Sequence, residues 1–199
     1  MSIFGLFVFL AVLVWVTLFA HELGHLLVAR YFGVRVLIIS IGMGPKLFRF
    51  FDRYGTCWSF SAIPIVSFTE TINKEASPGG IGVAWAALDL ESLTSCSIVQ
   101  KAAIYGAGAA TDVVLAPLIF AAAQLLFTGA LAWPKQADAG SAMALTCGFY
   151  TLSIGLLNLL PFPPLDGGKL LQLGLDRFRR RRNPPHTVHA ANSRARGWR

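Results

Sequence analysis

The hydrophobic pattern divides the chain into three long apolar runs separated by two polar or β-patterned stretches. Ile3 to Ala20 is apolar apart from Thr17, and the run continues through His21 to Tyr31. At 1.5 Å per residue such a helix crosses about 30 Å of hydrocarbon with tilt. Gly33 is the expected stop. Residues 34–68 read differently: Val36-Leu37-Ile38-Ile39 is rich in β-branched residues, Gly42 and Gly44 punctuate the stretch, and Phe48, Phe50, Trp58, Phe60 and Ala62 keep a two-residue rhythm around Asp52-Arg53-Tyr54-Gly55. These features predict strands and a hairpin lying against or dipping into the membrane. Residues 69–97 are the most polar part of the body and read as a loop, with a short interfacial helix expected over 82–93 and Trp85 as its anchor. A second span is expected over about 98–127, locally kinked at Pro117, and a third over about 142–160. The third ends in Pro161-Phe162-Pro163-Pro164-Leu165-Asp166-Gly167-Gly168, a broken backbone that the hydrocarbon tolerates only where protein or a watery cavity covers it. Lys169 to Arg182 reads as a surface helix, with a disordered tail after Asn183-Pro184-Pro185.

Composition agrees. The chain has 199 residues, 55% of them hydrophobic and 14% charged, with mean hydropathy +0.59. That is the profile of an α-helical integral membrane protein. The n-region carries no Lys or Arg and the first run is too long, so a cleaved signal peptide is not expected. The net charge of +7 belongs to one segment. Arg177, Arg179, Arg180, Arg181, Arg182, Arg194, Arg196 and Arg199 follow Asp176 with no acid among them, whereas residues 1–176 hold nine Lys and Arg against ten Asp and Glu, a net of −1. A basic tail of this kind suits anionic lipid at a cytoplasmic surface; the body offers nothing for nucleic acid. The division is therefore a membrane domain over 1–176 and a basic tail over 177–199. Cys57, Cys96 and Cys147 have neither metal-ligand spacing nor the even count of a disulfide framework. Positive charges at the facing ends of the first two spans, with only Lys135 between the second and third, place the N-terminus outside and the C-terminus in the cytoplasm.

The candidate chemistry sits inside the first span. His21-Glu22-Leu23-Gly24-His25 puts two imidazoles at i and i+4 on one helix face, with Glu22 about 100° away. Two His and a Glu within an apolar helix are costly unless they face a polar site. Neutral imidazoles suit zinc, and Glu22 is then placed as general base rather than ligand. Asp112, near the middle of the second span, is a functional candidate by position alone. His186 and His189 lie in the tail, where solvation explains them.

Two motifs together, HELGH in the first span and the run from Asn158 through Pro161, Pro163 and Pro164 to Asp166-Gly167 at the end of the third, resemble the site-2 protease family of intramembrane zinc metalloproteases. Ser40-Ile41-Gly42-Met43-Gly44-Pro45 resembles the family's stretch after its first helix, and the likeness covers most of residues 15–170. It implies a core of three transmembrane helices with a membrane-associated β-hairpin or sheet. It implies one zinc ion on His21, His25 and Asp166, with Glu22 as the catalytic base. It also implies single-span membrane proteins as substrates, cut for regulated intramembrane proteolysis or signal-peptide clearance, in the inner membrane of a bacterium. Asp112 and Asn158 are the candidates for contact with substrate or oxyanion. The family's Gly-Pro pair and Asn in the second span are here Gly108-Ala109 and Asp112, its Pro-Leu-Gly-Gly is Pro64-Ile65-Val66-Ser67, and residues 69–97 are too short for the PDZ domain that many bacterial relatives carry. An ionised carboxylate cannot donate to an oxyanion as an amide does. The alternative reading is a catalytically inactive member that holds or chaperones membrane helices.

Overall fold

A computed structural model describes residues 3–63, 85–88, 93, 95–131, 138–163 and 165–182. Among the described residues, four helices and four strands follow one another: α1 (Ile3–Tyr31), β1 (Val36–Ile41), β2 (Met43–Phe51), β3 (Cys57–Ile63), β4 (Trp85–Leu88), α2 (Ile98–Thr128), α3 (Ala139–Asn158) and α4 (Asp166–Arg182). The three expected spans are α1, α2 and α3, each long and apolar enough to cross a membrane.

Their polarity is inverted relative to a water-soluble bundle. Phe4, Phe7, Leu118, Leu126 and Phe149 are each at least 60% exposed, whereas Thr17, Asp112 and Thr151 are fully buried. Hydrocarbon as the surrounding medium explains both halves of this: apolar side chains lose nothing by facing it, and polar ones must turn inward to find partners. Helix ends are tied locally. Ser97 caps α2 and exchanges bonds with Gln100, and Gly129 ends it in the left-handed conformation at φ 71°. Asp138 caps α3 by accepting from the Ser141 N–H at 2.7 Å. Pro117 lies within α2, which is assigned as one helix throughout.

Small residues let the spans approach closely. A Cβ on Gly24 would meet the Thr111 hydroxyl and lie 2.9 Å from the Ala107 carbonyl, so α1 and α2 touch backbone to backbone there. Gly148 and Gly155 do the same for α3 against Phe120, Ala109 and Asp112.

The sheet has strand order β2-β3-β1-β4. β2 and β3 form the expected antiparallel hairpin around 52–56, with Phe48 opposite Phe60 and Phe50 opposite Trp58. β3 then runs parallel to β1, and β4 antiparallel to it. Residues 85–88 thus form a strand where the sequence pattern suggested a helix. Ala favours helix by a fraction of a kcal/mol per residue, and the unpaired edge of β1 offers four residues of ladder instead. The polar stretch 69–84 lies outside the described residues. The surface helix expected over 169–182 is α4, which starts three residues earlier at Asp166 and takes in the first arginines of the basic segment; 183–199 lie outside the described residues.

β1 buries Ile39 and Ile41 completely, in a core with Leu18, Leu26 and Ala29 of α1. The stacked Trp58 and Phe60 meet Phe19 and Trp15 of α1 at centroid distances of 5.9 and 6.1 Å. The hairpin turn is pinned to the end of α1 by Asp52. Its Oδ1 accepts the N–H groups of Tyr54 and Thr56 at 2.8 and 3.0 Å. Its Oδ2 accepts from the Arg30 guanidinium and from Trp58 Nε1. Arg30 also donates to Thr56 Oγ1 at 2.9 Å, and that hydroxyl donates to the Val36 carbonyl at 2.8 Å.

Burial opposes ionisation of Asp52, but donation from Arg30 and from Thr56, Trp58 and Tyr54 outweighs it and pulls the carboxyl down to about 2. A depressed carboxylate pKa contributes stability that is complete above the ordinary value of 3.8 and is lost as pH falls through about 2. Acidification across that window is expected to loosen the hairpin from α1, read by Trp58 fluorescence, and Asp52→Asn is expected to flatten the response.

Candidate metal centre

α1 presents His21, Glu22 and His25 to the bundle interior, all buried, with one donor atom from each within 4.8 Å of the others. The helix period dictates the pairing of the two rings, and α2 supplies what lies behind them. His21 Nδ1 is 2.7 Å from Asp112 Oδ2, and His25 Nδ1 is 2.7 Å from the Ile104 carbonyl oxygen. Both acceptors take a proton from Nδ1, which fixes each neutral imidazole with its lone pair on Nε2.

The two Nε2 atoms stand 3.2 Å apart. Asp166 Oδ2, at the start of α4, lies 3.1 Å from His21 Nε2 and 2.9 Å from His25 Nε2. Two histidines of the first span and an aspartate 141 residues beyond His25 therefore meet at three atoms. Three acceptors facing one another in a buried site repel unless a positive charge lies among them. Donors on a tetrahedral zinc with bonds of 2.0–2.1 Å are about 3.3 Å apart, close to these spacings. The donor set of two imidazoles and one carboxylate leaves a fourth position open, as catalytic zinc sites do. The residues present fit such an ion.

Lys169 donates to Asp166 Oδ1 at 2.9 Å, leaving Oδ2 for the site. Asp166 reaches the bundle because the backbone before it is packed tightly. A Cβ on Gly167 would strike the Leu159 and Leu160 carbonyl groups, and one on Gly168 would stand 2.8 Å from the Phe162 and Pro163 backbone.

The structure brings together His21, Glu22, His25, Asp112 and Asp166. Asp112 stands behind the His21 ring, at Nδ1, on the opposite edge from Nε2. Asn158, half-buried at the last position of α3, makes no hydrogen bond to any of them among the described residues. Sequence reasoning missed Gly108. A Cβ there would press on Nε2 of both His21 and His25, so only a glycine leaves the Nε2 edge of the rings clear. The run Gly106-Ala107-Gly108 is of the kind that lets helices pack closely, but such a run does not say that one of its members borders the site. Ile104 gave no signal either, since its contribution is a backbone carbonyl.

Known proteins place these features in a family. The model of peptidase family M50 matches residues 8–145 and, in a second segment, 130–195. A protein of Brucella melitensis named as a zinc metalloprotease is 38% identical over 124 residues, which is 60% of this chain and 33% of that one. A similarly named protein of Agrobacterium fabrum is 34% identical over 125 residues, again 60% of this chain and 33% of the relative. The regulator of sigma-E protease RseP of Salmonella typhimurium is 35% identical over 96 residues, 48% of this chain and 20% of its own length. The matches thus span about a third or less of these relatives. With two segments of family match and a three-helix membrane core, the chain belongs to peptidase family M50, the site-2 protease family.

Proposed function

We propose that the chain is the catalytic core of an intramembrane zinc metalloendopeptidase, with His21, His25 and Asp166 holding one zinc ion and Glu22 acting as general base. The observation that carries this reading is the triangle of His21 Nε2, His25 Nε2 and Asp166 Oδ2, whose sides measure 3.2, 3.1 and 2.9 Å inside a lipid-facing bundle. The names of the relatives, zinc metalloproteases and a regulator of sigma-E protease, support it.

When bound, zinc supplies a Lewis acid that polarises the scissile carbonyl and lowers the pKa of water to about 7. The chain's own residues do the rest. Glu22, buried beside both rings, takes a proton from the attacking water and returns it to the leaving amine. The hydrocarbon-facing shell of α1, α2 and α3 excludes bulk water, which strengthens every charge interaction within. A helical substrate hides its carbonyls in hydrogen bonds, so a cleavable segment must be extended. β2 ends the sheet and pairs only with β3 among the described residues, so its outer edge could receive such a segment by strand addition. The substrates on this reading are single-span membrane proteins. The membrane is the bacterial inner membrane, with the N-terminus outside and the site toward the cytoplasmic face, following the positive charges around α1 and α4. Asn158, eight residues before Asp166, is the candidate for a substrate contact.

Glu22→Gln is expected to lower cleavage of a co-expressed single-span substrate by about 10²–10⁴-fold while zinc content stays at one ion per chain. Cleavage at the wild-type rate would overturn the role of Glu22. Gly108→Ala is expected to abolish zinc retention, measured by metal analysis of the purified chain. Alanine raises helix propensity by about 1 kcal/mol, so loss of metal there reports crowding of the rings and not loss of the helix.

A further inference from the structure

We infer that Asp112 is a positioning residue for the metal: it holds His21 through Nδ1 and strengthens that ring's grip by its negative charge. This rests on the zinc reading of His21, His25 and Asp166.

The two imidazoles are held unequally. His25 donates Nδ1–H to a neutral backbone carbonyl, that of Ile104, whereas His21 donates to a carboxylate at the same 2.7 Å. Asp112 is fully buried, so solvent does not compete for its hydrogen bond with His21. Oδ2 is committed to His21, and Oδ1 has no hydrogen-bond partner among the described residues. From α3, Gly155 closes over the same side chain: a Cβ there would lie 2.7 Å from Asp112 Cβ. The carboxylate is thus packed on one side and bonded on the other, with a single polar task.

That task cannot be oxyanion binding. Nδ1 and Nε2 lie on opposite edges of the imidazole, so Asp112 is separated from the metal-facing edge by the ring itself. A carboxylate acceptor at Nδ1 fixes the tautomer, locks the ring orientation and makes Nε2 a stronger donor to a cation. An asparagine here would accept the same hydrogen bond through its amide oxygen but bring no charge. The chain therefore carries a carboxylate on each side of His21, Asp166 at Nε2 and Asp112 at Nδ1. Both bias the site toward holding its ion.

The test uses the full chain in detergent, with zinc affinity measured by competition with a chelator and cobalt(II) absorption as a second signature. Asp112→Leu keeps bulk and removes the acceptor, leaving His21 Nδ1–H without its partner. It is expected to weaken zinc binding by about 10–100-fold. Asp112→Asn is expected to recover most of that loss but to shift the cobalt band, because the ring behind the ion loses its charged partner. Zinc affinity in Asp112→Leu equal to wild type would overturn the assignment. Should the leucine chain not fold, an unshifted cobalt band in Asp112→Asn would overturn it equally. Failure of the wild-type chain to bind zinc would be a different result, removing the metal reading itself and this inference with it.

Discussion

Two imidazole lone pairs and one carboxylate oxygen converge within about 3 Å of each other in the interior of a bundle whose outside faces hydrocarbon. Left alone, that convergence is unfavourable, because the low dielectric magnifies repulsion among acceptors. The rest of the structure consists of elements that force the three atoms together in spite of this. A positive charge at their centre converts the cost into a binding site, which is why the arrangement and a metal ion are linked physically and not only by motif.

Forcing falls to backbone contacts. Gly24 brings α1 onto α2, Gly155 brings α3 onto Asp112, and Gly167 with Gly168 folds the segment after α3 back on itself so that Asp166 enters from the start of α4. In hydrocarbon, burying apolar surface between helices gains little, so close backbone approach and polar contacts carry the association. The Thr17–Thr151 hydroxyl contact, at 3.4 Å between α1 and α3, belongs to the same class. Gly108 differs from the others in kind. Its missing side chain serves the site by leaving Nε2 of both rings uncovered.

The sheet is attached to the bundle by two means that differ in character. On one side, stacked aromatics of β3 lie on Trp15 and Phe19, and the buried isoleucines of β1 join the α1 core. On the other, Asp52 gathers Arg30, Trp58 and the turn backbone into one charged knot at the end of α1. The first contact is insensitive to pH and the second is not. α1 therefore carries the paired histidines, the sheet and the charged anchor along one helix, and displacement of any of these bears on the others.

Much of this was legible in the residues. Hydropathy alone set the three spans, because the need to satisfy every backbone group within lipid leaves few alternatives to a helix of that length. The i, i+4 spacing placed His21 and His25 on one face, and the two-residue rhythm around Asp52 to Gly55 gave the β2–β3 hairpin. Both are short-range periodicities. What the sequence could not decide was long-range. That residues 85–88 pair with β1 depended on an edge being free. That Ile104 offers a carbonyl, that Asp112 stands at the Nδ1 edge of His21 and not at Nε2, and that Gly108 borders both rings depended on the rotation of α2 against α1. That rotation is set by side-chain interlocking across the whole interface, and no local pattern encodes it.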